Sequence, residues 1–352
     1  MKALFISVLV SATLLVSGQN NEPFSTHNFS SVVASSIKSV EATTTNGGIT
    51  INGIATSEAT VEMYVSPNNS GSSWSLFRSN RRNNWSNEEI KQTLDEDYTI
   101  DIKIEGGKLY AVARPKNRSQ QKLNISFKIS VPKQVNSNLQ TSNASIRITN
   151  LSGSQNFRTS NGSVTVENVS GKIAGNTSNG SITVTNSNDD IDIRTSNGRI
   201  TVSDCSGKII LRTSNGGVNL NNISGNISAT TSNGGVTAGK INGELKIGTS
   251  NGSVRLDDVS GSVNAKTSNG GVTVTMMSVS DYVTLSTSNG NINLSVPAER
   301  GYDLKAKAKR IETSGLANFS GKMDNKNLDG RIGNGGAKIE LSTSGRASLS
   351  FK

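Results

Sequence analysis

Thr195-Ser196-Asn197-Gly198-Arg199-Ile200-Thr201-Val202-Ser203-Asp204-Cys205-Ser206-Gly207-Lys208-Ile209-Ile210-Leu211-Arg212 is followed at once by Thr213-Ser214-Asn215-Gly216, so an 18-residue unit ends where its next copy begins. The Asn of this Thr-Ser-Asn-Gly string recurs at Asn161, Asn179, Asn197, Asn215, Asn233, Asn251 and Asn269. A variant copy, Thr141-Ser142-Asn143-Ala144, lies 18 residues earlier, and another reaches Asn289 after 20. Counted from each Asn, the third residue is apolar in every copy, from Ile146 to Ile292, and so is the fifth, from Ile148 to Leu294. Polar residues stand between them, which is the alternation of a strand and not the spacing of a helix. The eighth position holds Leu151, Val169, Cys205, Ile223, Ile241, Val259 and Met277, with Ser187 the exception. The twelfth and fourteenth repeat the alternation, as in Ile209 with Leu211. Each unit therefore reads as two short strands joined by two turns.

One such unit cannot bury its own apolar edge, whereas stacked units bury a continuous one. The expected fold is all-β: a single-stranded parallel β-solenoid, or β-helix, right-handed, with 18-residue coils and irregular β caps. Nine coils at roughly 4.8 Å each would make a rod on the order of 40 Å long. A left-handed hexapeptide helix also fits 18 residues, but it would want small or aliphatic inward residues at the ninth and fifteenth positions. Ser152, Ser170 and Ser206 stand at the former, and Arg158, Arg194 and Arg212 at the latter, so that reading fails. Asn-Gly tolerates positive φ, and Ser-Gly recurs opposite it at Gly153, Gly171, Gly207, Gly225 and Gly261. Two corners per coil are thus expected to turn on backbone freedom. The recurring Asn is expected to stack as a ladder of side-chain amides, with the preceding Thr facing inward.

Composition removes several enzyme classes. His27 is the only imidazole and Cys205 the only thiol, too few for a Cys/His zinc site, which needs three or four N or S ligands. A Ser-His-Asp arrangement would rest on His27 alone. Lys2, an apolar run from Ala3 to Val16 and then Ser17-Gly18-Gln19 read as a secretory signal peptide over residues 1–18. No later stretch has the ~18–20 apolar residues of a membrane helix. The mature chain is therefore expected to be exported, to the periplasm, cell surface or medium, with no transmembrane segment. Residues 19–140 read as an N-terminal β cap with irregular first coils, including Thr45-Asn46-Gly47-Gly48-Ile49-Thr50-Ile51, strands near 98–104 and 123–129, and one short helix over Glu88 to Leu94. Residues 141–296 form the regular solenoid. Residues 297–352 read as imperfect closing coils, in which Lys305-Ala306-Lys307-Ala308-Lys309-Arg310 is a solvated strand face.

These features resemble a bacterial family of exported proteins classed as adhesins, of unknown function, whose domains are single-stranded parallel β-helices. The resemblance rests on Thr-Asn-Gly-Gly-Ile-Thr-Ile at 45–51, Gly107-Lys108-Leu109-Tyr110-Ala111-Val112, Ile129-Ser130-Val131-Pro132 and the Thr-Ser-Asn-Gly coils. Val296-Pro297 and the closing Thr343-Ser344-Gly345 add to it, and it covers roughly residues 30–352. Its motifs are structural, so it implies a fold and an adhesive role without any site residue.

Parallel β-helices also include polysaccharide lyases and hydrolases, which gather carboxylates on one outer face for general acid/base work. Here the best candidate is Asn188-Asp189-Asp190-Ile191-Asp192. Asp190 falls at the eleventh position, between Lys172 and Lys208 of the adjacent coils, and reads as a rung in a charge ladder. No catalytic residue, cofactor or metal is expected. Cys205 reads as a small buried hydrophobe. Arg158, Arg194, Arg212 and Lys266 share the outward fifteenth position and offer contacts to an anionic glycan or envelope polymer. A second candidate contact cluster is Trp74, Arg78, Arg81, Arg82 and Trp85. Nucleic acid is not expected, because the coils carry almost no stacking aromatics. The expected function is a non-enzymatic adhesive protein, with end-to-end self-association into a scaffold as the first alternative and a carbohydrate-active enzyme as the second.

Overall fold

The computed structural model describes residues 12–13, 23–55, 58–68, 85–117 and 121–352. The chain divides into two compact units, Met1–Val169 and Ser170–Lys352. In the second, strands Ile200–Arg212, Val218–Thr230, Val236–Gly248 and Val254–Thr267 run parallel. Each residue faces its counterpart one period on: Ile200 pairs with Val218, Val218 with Val236, and Val236 with Val254. In the first unit Ile146–Thr149 pairs in the same way with Val164–Glu167. The fold is the expected parallel β-solenoid, and the third, fifth, twelfth and fourteenth positions form its core, as in Ile200, Val202, Ile209 and Leu211, each at 0% exposure.

Positions three and five are odd and positions eight, twelve and fourteen even, yet a regular strand cannot change the face it shows. The seventh residue makes the change. Asn150, Asn168, Asn186, Asp204, Asn222, Lys240 and Asp258 all lie in the left-handed region, with φ between 48° and 59°. The ladder skips this residue, so that Ser203 pairs with Asn221 and then Cys205 with Ile223. Past it the strand runs on through the Ser-Gly corner, where Gly207 has φ 113° and Gly225 φ 136°. From Ile200 onward a coil is one long bent strand plus one turn, whereas the earlier coils, such as Ile146–Thr149 with Gln155–Arg158 and Ile182–Thr185 with Ile191–Arg194, keep the two short strands that the pattern suggested.

The other corner also differs from expectation. Neither Asn nor Gly of the described Thr-Ser-Asn-Gly strings has positive φ. Its glycine answers to contact instead: a Cβ on Gly216 would sit 1.7 Å from the Gly198 carbonyl oxygen, and one on Gly234 1.9 Å from that of Gly216. Two side-chain systems lock this corner. The buried Thr231 hydroxyl donates to Gly216 O (2.9 Å) and accepts from the Gly234 N–H (3.1 Å), and Thr213 and Thr249 repeat the arrangement. The ladder of amides is present, with Asn215 Nδ2 donating to Asn197 Oδ1 at 2.6 Å and Asn233, Asn251, Asn269 and Asn289 each donating to the preceding rung at 2.7 Å.

Met277 does not face inward as its eighth position implied. It is 62% exposed, and Met276 is buried opposite Val259 in its place. The seventh position of this coil is Met276, which is not left-handed, so the face is not switched and alternation simply continues through Val272, Val274 and Met276. The two extra residues of the period enter further on, where the register to Val263 moves to Val283.

The segments outside the lattice complete each unit. In the first, Ile49–Ile54 pairs parallel with Ile146–Thr149, and Asn143 Nδ2 donates to Asn46 Oδ1 at 2.6 Å, so the early Thr-Asn-Gly-Gly segment is a rung of the same stack. Tyr98–Glu105 with Lys108–Pro115, and Ala59–Pro67 with Leu123–Pro132, form antiparallel pairs beside it. The helix spans Asn87–Asp97, longer than expected at both ends, and Ser86 and Glu89 close a capping box that fixes its start. A second, short helix, Ser31–Ala34, was not foreseen. In the second unit Ala337–Thr343 continues the stack on Tyr282 to Thr287, and Arg346–Phe351 on Ile292–Val296. Asn327–Ile332 runs antiparallel to both Tyr302–Lys307 and Phe319–Met323. Lys305 and Lys307 are exposed while Leu304 and Ala306 are buried, which makes this part of the basic run a solvated strand face.

Candidate functional site

The fifteenth position faces outward because the twelfth, fourteenth and sixteenth face in. Arg194 and Arg212 are direct partners on adjacent parallel strands, about 4.8 Å apart. Arg212 Nη1 reaches back to Asp192 Oδ1 at 2.9 Å, across side chains 42% and 48% exposed, a pair worth under about 1 kcal/mol. Among the described residues Arg212 is the only one of the four cations with an ion pair. Thr230 and Gly248 occupy the next two rungs, so Lys266 stands apart from the arginine pair. Arg158 belongs to the first unit, exposed and paired in register with Gln140. Two guanidinium groups opposite each other repel, and one half-exposed carboxylate does not neutralise them.

Trp74, Arg78, Arg81 and Arg82 lie outside the described residues. Trp85, of the same cluster, is half-buried just ahead of the helix cap.

Asp190 is exposed, as are Lys172 and Lys208, and among the described residues no ion pair joins it to either, so the expected charge ladder does not close. Its main-chain N–H is bonded by Asp189 Oδ1 at 2.7 Å. Asp257 is held by Arg255 at 2.8 Å. Ser25 Oγ lies 3.5 Å from His27 Nε2, but Nδ1, which a third member would have to hold, is buried without a partner. Burial holds the imidazole below its ordinary pKa of 6.5. Protonation therefore favours the unfolded chain, and the stability this neutral ring contributes is present above pH 6.5 and lost as pH falls through its depressed value. The urea midpoint of the first unit is expected to drop between pH 7.5 and 5, by less in His27→Gln.

Cys205 is buried in the eighth column and donates to Ser203 O at 3.1 Å, and burial pushes its thiol up. Alkylation in the native state is expected to run at least roughly tenfold slower than in urea, as for an inert structural thiol. Equal rates would show an open coil. Among the described residues no group of three or more His, Cys, Asp or Glu could hold a metal ion, and no helix is long and apolar enough to cross a membrane.

The coil geometry agrees with one family comparison. Residues 181–345 match the model of the family described as Toastrack DUF4097. No curated protein matches the sequence. A solved structure, "a putative cell adhesion protein from Clostridium sporogenes ATCC 15579", aligns over 97% of this chain and 100% of its own at 10% identity. Its TM-score is 0.20.

Sequence reading located the outward arginines, since register follows from the period. It missed the left-handed seventh column, whose signal was the Asn and Asp enrichment at that position, the residue types that reach this region most readily without glycine. It also missed Asp192 as the partner of Arg212.

Proposed function

We propose that the protein is a non-enzymatic, exported interaction protein that adheres to an anionic glycan or envelope polymer through the outer faces of its coils. The carrying observation is the Arg194–Arg212 pair, two guanidinium groups on adjacent rungs, of which, among the described residues, only Arg212 has a carboxylate partner, the exposed Asp192. A stack of rigid parallel strands presents such charges without the ordering cost of flexible loops. Guanidinium groups pair bidentately with carboxylate and phosphate, so a repeating acidic polymer suits them. Export rests on the amino-terminal pattern of residues 2–18. A glycan array with Arg194→Ala/Arg212→Ala tests the binding: acidic glycans are expected to bind the parent in a salt-sensitive way and the variant more weakly. Binding by neither, or equally by both, would refute this surface as the contact. Cell fractionation with surface proteolysis tests export.

A further inference from the structure

The amide ladder ends at Asn289, and there the second unit has an open recess of about 840 Å³. Lys309, Arg310, Lys326 and Arg346 line it, with Asn289 and Asn325 between them. The four cations come from three separate stretches of chain. Glu312 is shared by two of them, at 3.1 Å from Arg310 Nε and 3.7 Å from Arg346 Nη1, and those two side chains remain 73% and 50% exposed. Asp324 is engaged by its own turn, its Oδ1 accepting the main-chain N–H groups of Lys326 (2.6 Å) and Asn327 (2.7 Å). Lys309 and Lys326 have no ion pair among the described residues. The recess thus holds an excess of positive charge, and an anion placed in it relieves the repulsion.

Asn289 adds a second requirement. Its Nδ2 donates to Asn269 Oδ1 at 2.7 Å, but with no further rung, no donor among the described residues reaches its Oδ1. A free acceptor among cationic donors suits a ligand that both donates and accepts: hydroxyl groups for Asn289 and carboxylates for the guanidinium and ammonium groups. Inorganic phosphate offers charge with little donating capacity, and a neutral glycan offers hydroxyls without charge. The volume lies within the range of small-molecule sites, about 300–1,000 Å³. We propose that this recess binds an acidic saccharide chain carrying carboxylates and free hydroxyls, of the uronate class. The inference shares its polyanion chemistry with the outer-face reading but none of its residues.

Calorimetric titration of the full chain with a short oligogalacturonate at low salt tests it. Lys309→Ala/Lys326→Ala is expected to weaken binding about tenfold or more with the urea midpoint unchanged, and Lys326→Ala alone about threefold, should the double variant fold poorly. Full affinity in these variants, or no binding by the parent, overturns the recess. Arg194→Ala/Arg212→Ala bears only on the outer face, so the two readings fail separately. Equal displacement by inorganic phosphate, or equal binding of a carboxyl-reduced oligomer, also overturns the proposal.

Discussion

Gly216→Ala is expected to be among the most damaging single methyl groups that can be added to the coils, costing about 3 kcal/mol or more. The new carbon would lie 1.7 Å from Gly198 O and 2.5 Å from its carbonyl carbon, inside backbone that is itself bonded to the next coil. No rotamer change relieves a clash between main chains, so the rungs must part. Gly248→Ala is the control: its Cβ would meet Thr230 Cγ2 at 3.6 Å, an ordinary contact, on a strand where alanine is favoured over glycine by about 0.5–1 kcal/mol. Urea denaturation followed by far-UV circular dichroism should show a large fall in midpoint for the first and none for the second. Because each coil leans on its neighbours, the loss can also appear as partial unravelling, a second transition in place of one. Equal midpoints would mean that coil spacing is looser than the register implies.

Thr231→Val should come next, at about 2–4 kcal/mol, although it conserves shape and removes only a hydroxyl. That oxygen satisfies two main-chain groups, Gly216 O at 2.9 Å and the Gly234 N–H at 3.1 Å, and Thr231 is only 7% exposed. A buried polar group left without a partner costs about 1–3 kcal/mol. Thr231→Ser keeps both bonds and loses one methyl, about 0.8 kcal/mol. A thermal melt that ranked valine above serine would remove the hydroxyl from the account of stability.

The period made most of the fold readable, because an 18-residue lattice fixes register without any knowledge of turns. The inward columns through Ile200, Val202, Ile209 and Leu211, the inward Thr and the amide ladder all follow from it. Backbone conformation did not follow in the same way. Asn-Gly suggests positive φ when met as a dipeptide, whereas Gly216 is required by the carbonyl one coil away, a non-local contact. Column counting put Met277 inward, but only a left-handed residue at the seventh position swaps the face, and methionine is a costly occupant of that region, so Met276 is buried instead. Of the candidate contacts, the adjacency of Arg194 and Arg212 was legible from register alone. The carboxylate that reaches Arg212 from the preceding coil, and the convergence of Lys309, Lys326 and Arg346, depend on side-chain reach and on irregular closing strands.

The threonine hydroxyls have a consequence for chemical ageing. An Asn-Gly dipeptide loses ammonia when the glycine nitrogen turns onto the asparagine side-chain carbon and closes a five-membered imide, which water then opens to aspartate or isoaspartate. In the inner coils that nitrogen is tethered, as Gly216 N is to Thr213 Oγ1 at 3.1 Å, and the amide it would attack is clamped between two rungs. A chain that repeats the dipeptide most prone to this reaction thereby carries its own protection against it. Asn289-Gly290, where the row of amides stops, is held by one rung only and is expected to deamidate before the inner members of that row.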